Sequence, residues 1–338
     1  MKKRMYTIAI LLVWFVSFNL AGCGEPQQQA YSRDLFAMDT YITFQVVTGD
    51  QQLAEKGLDG VEKAFLEIDR LTNRFDRWSE VSKVNQNAGV APVKVNKDVF
   101  KIMQTAIEWS DKTDGAFNIL MGGAMDLWGF GSKNYRIPTE DELAQVLTKT
   151  DYHKIILDAE QSTIYLSEKG MVLDLGGVAK GYATDKAIEA LKKLGIKNAL
   201  INAGGNVYAM GTKADGDPWK VGVQDPRNPK GIKAVLAGSD VAVVSSGDYQ
   251  RYFEVNGIRY HHILDPTTGC PARASVGTTI IMKSATIADI LSTAFFVKGP
   301  SGGIKLAEGF PQLKAALFIT GDGKVYKTKA MYHYLIEH

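Results

Sequence analysis

The sequence predicts an α+β fold built on a largely antiparallel, mixed set of sheets with packed helices. Three observations carry this. Strand-like and helix-like stretches are interspersed along the chain, short hairpin turns outnumber strand–helix–strand crossovers, and the texture changes to mostly strands after Lys154. In order, Tyr41 to Val47 alternates and reads as a strand. Leu53, Leu58, Val61, Phe65, Ile68 and Leu71 keep helical spacing, which predicts an amphipathic helix over 51–71. Val99, Ile102, Met103, Ala106 and Ile107 predict a second helix to about Ser110, and Thr139-Glu140-Asp141-Glu142 reads as a capping box for a third. Lys154–Asp158 and Thr163–Ser167 flank a polar turn and read as a hairpin. Met171–Leu175 reads as a strand running into Gly176-Gly177, with a helix from about Val178 to Lys193. Further strands are expected at Ala199–Asn202, Val207–Met210, Trp219–Gln224, Val241–Val244, Tyr252–Val255, Val276–Met282 and Lys314–Thr320. Asn256-Gly257 and Asp322-Gly323 supply hairpin turns, and Thr286–Val297 a last helix.

With 338 residues, 45% hydrophobic and 22% charged, the chain can bury a substantial core, and disorder, collagen-like repeats and a multi-span membrane protein are excluded. A formal charge of +2 carries no basic excess, so no nucleic-acid partner is expected. Two cysteines, Cys23 and Cys270, exclude a disulfide framework and a cysteine-rich metal site. Lys2, Lys3 and Arg4 followed by the apolar run Ile8–Phe18 read as a signal peptide over 1–22, and Leu20-Ala21-Gly22-Cys23 resembles a bacterial lipobox. The expected organisation is a lipoprotein signal peptide at 1–22, a lipidated tether at 23–32 beginning at Cys23, and one catalytic unit at 33–338. Removal of 1–22 leaves 36 basic against 37 acidic side chains.

Five stretches carry candidate chemistry. Asp174-Leu175-Gly176-Gly177-Val178-Ala179-Lys180-Gly181 is a glycine turn opening a helix; it suits a phosphate, and it suits equally a plain tight turn. It is neither a P-loop nor a dinucleotide fingerprint. Ile201-Asn202-Ala203-Gly204-Gly205 is a second glycine turn. His261 and His262 precede Asp265-Pro266, and in an extended segment the two imidazoles point to opposite faces, so only one serves a given pocket as a base. Asp289 and Thr293 are four apart on one helix face, a pair of hard oxygen ligands suited to Mg²⁺ or, alternatively, a favourable helix charge beside a back-bonded hydroxyl. The aromatic, glycine-rich stretch Asp126-Leu127-Trp128-Gly129-Phe130-Gly131 either sandwiches a flat ring or covers the core.

The order of these pieces, together with MDT at 38–40, RFDRWSEVSKVN at 74–85, GAFN at 115–118, VQDPR at 223–227 and SSGDYQRYF at 245–253, resembles the FAD:protein FMN transferase (ApbE, flavin-trafficking lipoprotein) family. The resemblance implies an ApbE-like fold and Mg²⁺-dependent transfer of FMN from FAD to a threonine or serine hydroxyl of an acceptor protein, with release of AMP. It implies Mg²⁺ held by the Gly177 carbonyl, Asp289 and Thr293, with the Ser292 carbonyl as a further candidate. His262 is the implied base, with Asp265 orienting it or sharing the role. Met38, Phe75, Ala116, Phe117, Asn118, Asp174, Lys180 and Ile263 fall at FAD-contacting positions; at 75 the family often has tyrosine. Implied partners are FAD, a subunit of an exported redox complex of the Na⁺-translocating quinone reductase or Rnf type, and a membrane through the lipid anchor, with the enzyme facing the periplasm or exterior. The competing readings are an FAD pyrophosphatase and a non-enzymatic FAD-binding lipoprotein.

Overall fold

The computed structural model describes residues 27–336. The expected signal peptide and Cys23 therefore lie outside the described residues. The chain opens with the hairpin β1 (Gln29–Ala37) and β2 (Thr40–Thr48). Its two-residue turn, Met38-Asp39, has φ of 54° and 57°, which is the twist such hairpins favour. Helix α1 (Gln51–Thr72) starts where the Asp50 carboxylate accepts from the Gln52 and Leu53 N–H groups. Then come α2 (Glu80–Gln86), β3 (Val93–Lys94), α3 (Lys97–Lys112), α4 (Gly122–Trp128) and α5 (Glu140–Leu147), the last with the expected capping box between Thr139 and Glu142. The hairpin β4 (Ile155–Asp158) and β5 (Thr163–Leu166) precedes α6 (Ala179–Lys193). The remainder is β6 (Asn198–Ala203), β7 (Asn206–Met210), β8 (Trp219–Asp225), β9 (Asn228–Gly238), β10 (Val241–Gly247), β11 (Tyr252–Val255), β12 (Ile258–His261), β13 (Gly277–Met282), α7 (Ala285–Ala307), β14 (Ala315–Ile319) and β15 (Val325–Lys327).

Eight strands form one sheet in the order β1-β2-β6-β7-β10-β13-β14-β15. Every neighbouring pair in it is antiparallel, as the hairpin count predicts. Helices α1, α6 and α7 cover one face, where Ile42, Phe44, Ile201, Tyr208, Val244 and Phe318 meet Leu58, Phe65, Leu191 and Phe295. The ribbon β8–β9 covers part of the other face, through Val221, Val223 and Leu236 against Val207, Val243 and Ile281. The central strands are thus buried on both sides, which is why 241–244 and 315–319 are unbroken apolar runs rather than alternating ones.

Three expectations are corrected. Met171–Leu175 is extended but joins no strand. Its alternation is real, with Met171, Leu173 and Leu175 buried. Its backbone, however, bonds to a side chain and to a loop: Leu173 N–H donates to Asn85 Oδ1 at 2.7 Å and Asp174 N–H to the Ile119 carbonyl at 2.8 Å. Second, β1 begins inside the segment read as tether, because Gln29–Ser32 pair with Gln45–Thr48 of β2 at the edge of the sheet. Third, α7 continues past Val297 to Ala307 across a kink at Gly299, where φ is 68° just before Pro300.

Candidate active site

The glycine turn at 176–177 ends the extended segment and opens α6. The Gly176 N–H donates to Asp174 Oδ1 at 2.8 Å, which shapes the turn. Val178 gives α6 no side-chain cap. The Ala179 N–H donates to the Leu175 carbonyl at 2.9 Å and the Gly181 N–H to Asp289 Oδ2 at 3.0 Å, which leaves the Lys180 N–H and the positive end of the helix dipole beside the turn. Helix α7 crosses α6 at contact distance: a Cβ on Gly181 would collide with the Ala285 carbonyl. Asp185 fixes this crossing. Its carboxylate accepts from Ser284 Oγ at 2.8 Å, the Ala285 N–H at 2.8 Å, the Thr286 N–H at 3.0 Å and Thr286 Oγ1 at 2.6 Å.

The crossing brings the expected metal ligands together. A Cβ on Gly177 would lie 3.5 Å from Thr293 Oγ1 and 3.0 Å from the Phe117 ring. Asp289 is 4% exposed. Its Oδ2 accepts the Gly181 N–H at 3.0 Å and lies 3.6 Å from Lys180 Nζ, while Lys180 Nζ also donates to the Gly176 carbonyl at 2.8 Å. Thr293 is half-buried and holds only a long 3.4 Å bond to the Asp289 carbonyl. A buried carboxylate, a weakly committed hydroxyl and a glycine carbonyl are hard oxygen donors, and this set fits Mg²⁺ completed by substrate phosphate and water. Among the described residues, no group of three or more His, Cys, Asp or Glu side chains could hold a metal by itself. Ser292 is fully buried, its hydroxyl 2.7 Å from Ser246 Oγ and its carbonyl accepting from Thr278 Oγ1 at 2.8 Å, which leaves that carbonyl one further lone pair. Its side chain serves the α7–sheet contact.

His261 and His262 do face opposite ways. His261 is 1% exposed, with Nε2 donating to the Ala272 carbonyl at 2.8 Å and Nδ1 accepting from the Ile263 N–H at 3.3 Å. Burial pushes its imidazole down to about 4. The folded chain therefore refuses a proton that the unfolded chain accepts below about pH 6.5. Its contribution to stability is intact above pH 6.5 and is lost progressively as pH falls to about 4, by about 3 kcal/mol in all. Urea unfolding of the wild type and His261→Gln should show the wild type losing the more stability between pH 7 and 4; parallel pH profiles would contradict this.

His262 follows β12 directly and is half-buried. Its Nδ1 lies 3.2 Å from the Arg251 carbonyl, which can only accept, so Nδ1 carries the hydrogen and Nε2 keeps the lone pair. Burial, with the positive charges of Arg251 and Lys180 nearby, holds this imidazole well below its ordinary value. It is neutral at pH 7 and competent to take a proton. Asp265 does not orient it: Asp265 Oδ1 accepts from the Thr267 N–H at 2.8 Å and Thr267 Oγ1 at 2.7 Å, closing its own turn. The orienting group is the Arg251 carbonyl. The Arg251 guanidinium also lies 3.6 Å from Asp39, next to Met38, which ties the β1–β2 turn to the histidine loop.

Of the expected FAD-contacting residues, Phe75 is 61% exposed, its ring against Gly131. Asp174 gives one oxygen to Gly176 and the other to Arg74. Ala116, Phe117 and Ile263 are buried, Phe117 directly beside Gly177. The Asn118 side chain is committed within the fold, donating to the Thr150 carbonyl at 2.8 Å and accepting the Leu120 N–H at 2.8 Å. Trp128 and Phe130 belong to a buried aromatic stack with Phe253 and Tyr260, and the Trp128 indole donates to the Gly269 carbonyl at 2.8 Å. They cover the core instead of offering a free face. Arg74, Asp185 and Arg251 were not singled out in the sequence, because their partners lie far along the chain or are backbone carbonyls.

A glycine turn at a helix start, an adjacent lysine, convergent oxygen donors and a neutral, oriented imidazole define a group-transfer enzyme for a phosphorylated substrate. The ApbE family profile matches residues 38–318. The FAD:protein FMN transferase of Treponema pallidum is 38% identical over 323 residues, covering 89% of this chain and 88% of that protein. The enzyme of the same name from Haemophilus influenzae is 30% identical over 292 residues, covering 84% of each. The crystal structure of the ApbE protein of Thermotoga maritima superposes with a TM-score of 0.84 at 33% identity, over 91% of this chain and all of that one. The flavin transferase ApbE of Vibrio cholerae gives 0.80 at 27% identity, again over 91% of this chain and all of that one. This chain belongs to the ApbE family.

Proposed function

We propose that this enzyme transfers FMN from FAD to a hydroxyl of an acceptor protein, releasing AMP, with Mg²⁺ at the Gly177–Asp289–Thr293 cluster. The observation that carries the reading is the meeting of that cluster with the glycine turn and Lys180 at the start of α6, beside a histidine whose Nε2 is free. The names of the relatives support the same chemistry. When bound, Mg²⁺ would neutralise charge on the diphosphate and polarise the phosphorus under attack. The Lys180 ammonium and backbone N–H, at the positive end of the α6 dipole, bind the diphosphate oxygens. Phe75 stacks on the isoalloxazine, and Asp174 accepts from ligand hydroxyls with the lone pairs left free. His262 Nε2 takes the proton from the threonine or serine hydroxyl as its oxygen bonds to the FMN phosphorus. The bond from phosphorus to the bridging oxygen breaks, and AMP leaves with that oxygen.

The acceptor class is a subunit of an exported redox complex, and the enzyme is held to the membrane by lipid on Cys23, facing the periplasm or exterior. The leader and lipobox in the sequence support this. Among the described residues, no helix is long and apolar enough to cross a membrane. The test incubates the chain with FAD, Mg²⁺ and a purified candidate acceptor, and reads the acceptor mass and the free nucleotides. A flavin phosphoester on the acceptor with one AMP per FMN is expected. Free FMN and AMP with an unmodified acceptor would make the enzyme a pyrophosphatase, and intact FAD would make it a carrier.

A further inference from the structure

We propose that Arg74 is a positioning residue for the flavin, tying the exposed Phe75 ring and the glycine turn that opens α6 into one unit. The proposal rests on the functional reading above and adds a residue to it. The Arg74 side chain is only 7% exposed, and three of its N–H groups are spoken for. Nε donates to Asp174 Oδ2 at 2.7 Å, Nη2 to Asp126 Oδ1 at 2.7 Å and Nη1 to Asp126 Oδ2 at 3.2 Å. The guanidinium carbon sits 4.3 Å from the Phe75 ring centroid. The backbone is pinned as well, since Ser82 Oγ donates to the Arg74 carbonyl at 2.7 Å.

Each contact reaches a different part of the site. Through Asp174, whose other oxygen holds the Gly176 N–H, Arg74 reaches the turn that carries Gly177. Through Asp126 it holds the last turn of α4, just before Gly131, which lies against the Phe75 ring; a Cβ there would collide with that ring. Through its own flat face it supports the ring by cation–π contact. Phe75 keeps 61% of its surface exposed despite these two supports, so it retains area for a planar ligand. Only a planar, forked cation satisfies two carboxylates and stacks on a ring at once; lysine offers a point charge.

The test is a double-mutant cycle on FAD binding, read by quenching of flavin fluorescence, with thermal melting of each ligand-free variant. Phe75→Leu and Arg74→Gln should each weaken FAD binding roughly tenfold and reduce the quenching at saturation. The double variant should lose less than the product of the two single losses, because both changes remove the ring support that Arg74 supplies, whereas the route through Asp174 is lost with Arg74 alone. Arg74→Lys should not rescue binding. Losses that multiply, or rescue by lysine, would overturn the proposal. If Arg74→Gln melts before binding can be measured, Asp126→Asn replaces it, as that carboxylate is half-exposed. It should weaken FAD binding several-fold in the wild type and have no effect in the Phe75→Leu background; an equal effect in both would overturn the coupling. A wild-type chain that does not bind FAD would overturn the functional reading and this proposal together, whereas multiplying losses in a chain that binds FAD overturn this proposal alone.

Discussion

Asp289→Asn should lower FMN transfer by roughly 10³-fold or more, since the metal's charge stabilisation at phosphorus is lost with the carboxylate. Asparagine keeps the size of the side chain and leaves an oxygen to accept the Gly181 N–H at the helix crossing. The α6–α7 contact should therefore survive, and the ligand-free melting temperature should change little. Divalent-cation binding, measured by titration with Mn²⁺, should fall in step with the rate. Chelating the metal from the wild type should reproduce the defect. A variant that transfers FMN within tenfold of the wild type would remove Asp289 from the metal site.

His262→Ala should separate binding from chemistry. FAD should still bind, because the diphosphate is held by α6 and Lys180, while transfer should drop about 10²–10⁴-fold with loss of the general base. The pH profile gives a second reading. Burial and the neighbouring cations hold the folded imidazole well below 6.5. The neutral base thus persists at pH 7, and the wild-type rate should fall only as pH drops through that lowered value. An acid limb centred at or above 6.5, or loss of FAD binding in the alanine variant, would assign the base elsewhere.

Much of this was legible in the chain because the relevant interactions are local. The period of Leu58, Val61, Phe65 and Ile68, the capping box at Thr139, the hairpin turn at Asn256-Gly257 and the parity of His261 and His262 each involve residues a few positions apart. The pairing of Gly177 with Asp289 and Thr293 came only through the resemblance, since neither segment alone points to the other. What escaped detection is non-local. Arg74 finds Asp174 one hundred residues away, and Asp185 finds Thr286 just over one hundred away. The partner of His262 is a backbone carbonyl, which any residue could supply. The extended segment 171–175 has the alternation of a strand, but strand identity depends on a neighbour, and its neighbours are the Asn85 amide and a loop. The start of the edge strand β1 lay within the polar stretch up to Ser32, and as an edge it is only partly covered.

The four donors gathered by Asp185 also bear on kinetics. They hold the junction of the two helices from within the chain, with no nucleotide required, so capture is expected to need no disorder-to-order step there. Association should accordingly track encounter frequency and solvent viscosity, with a single exponential phase whose rate rises linearly with nucleotide concentration.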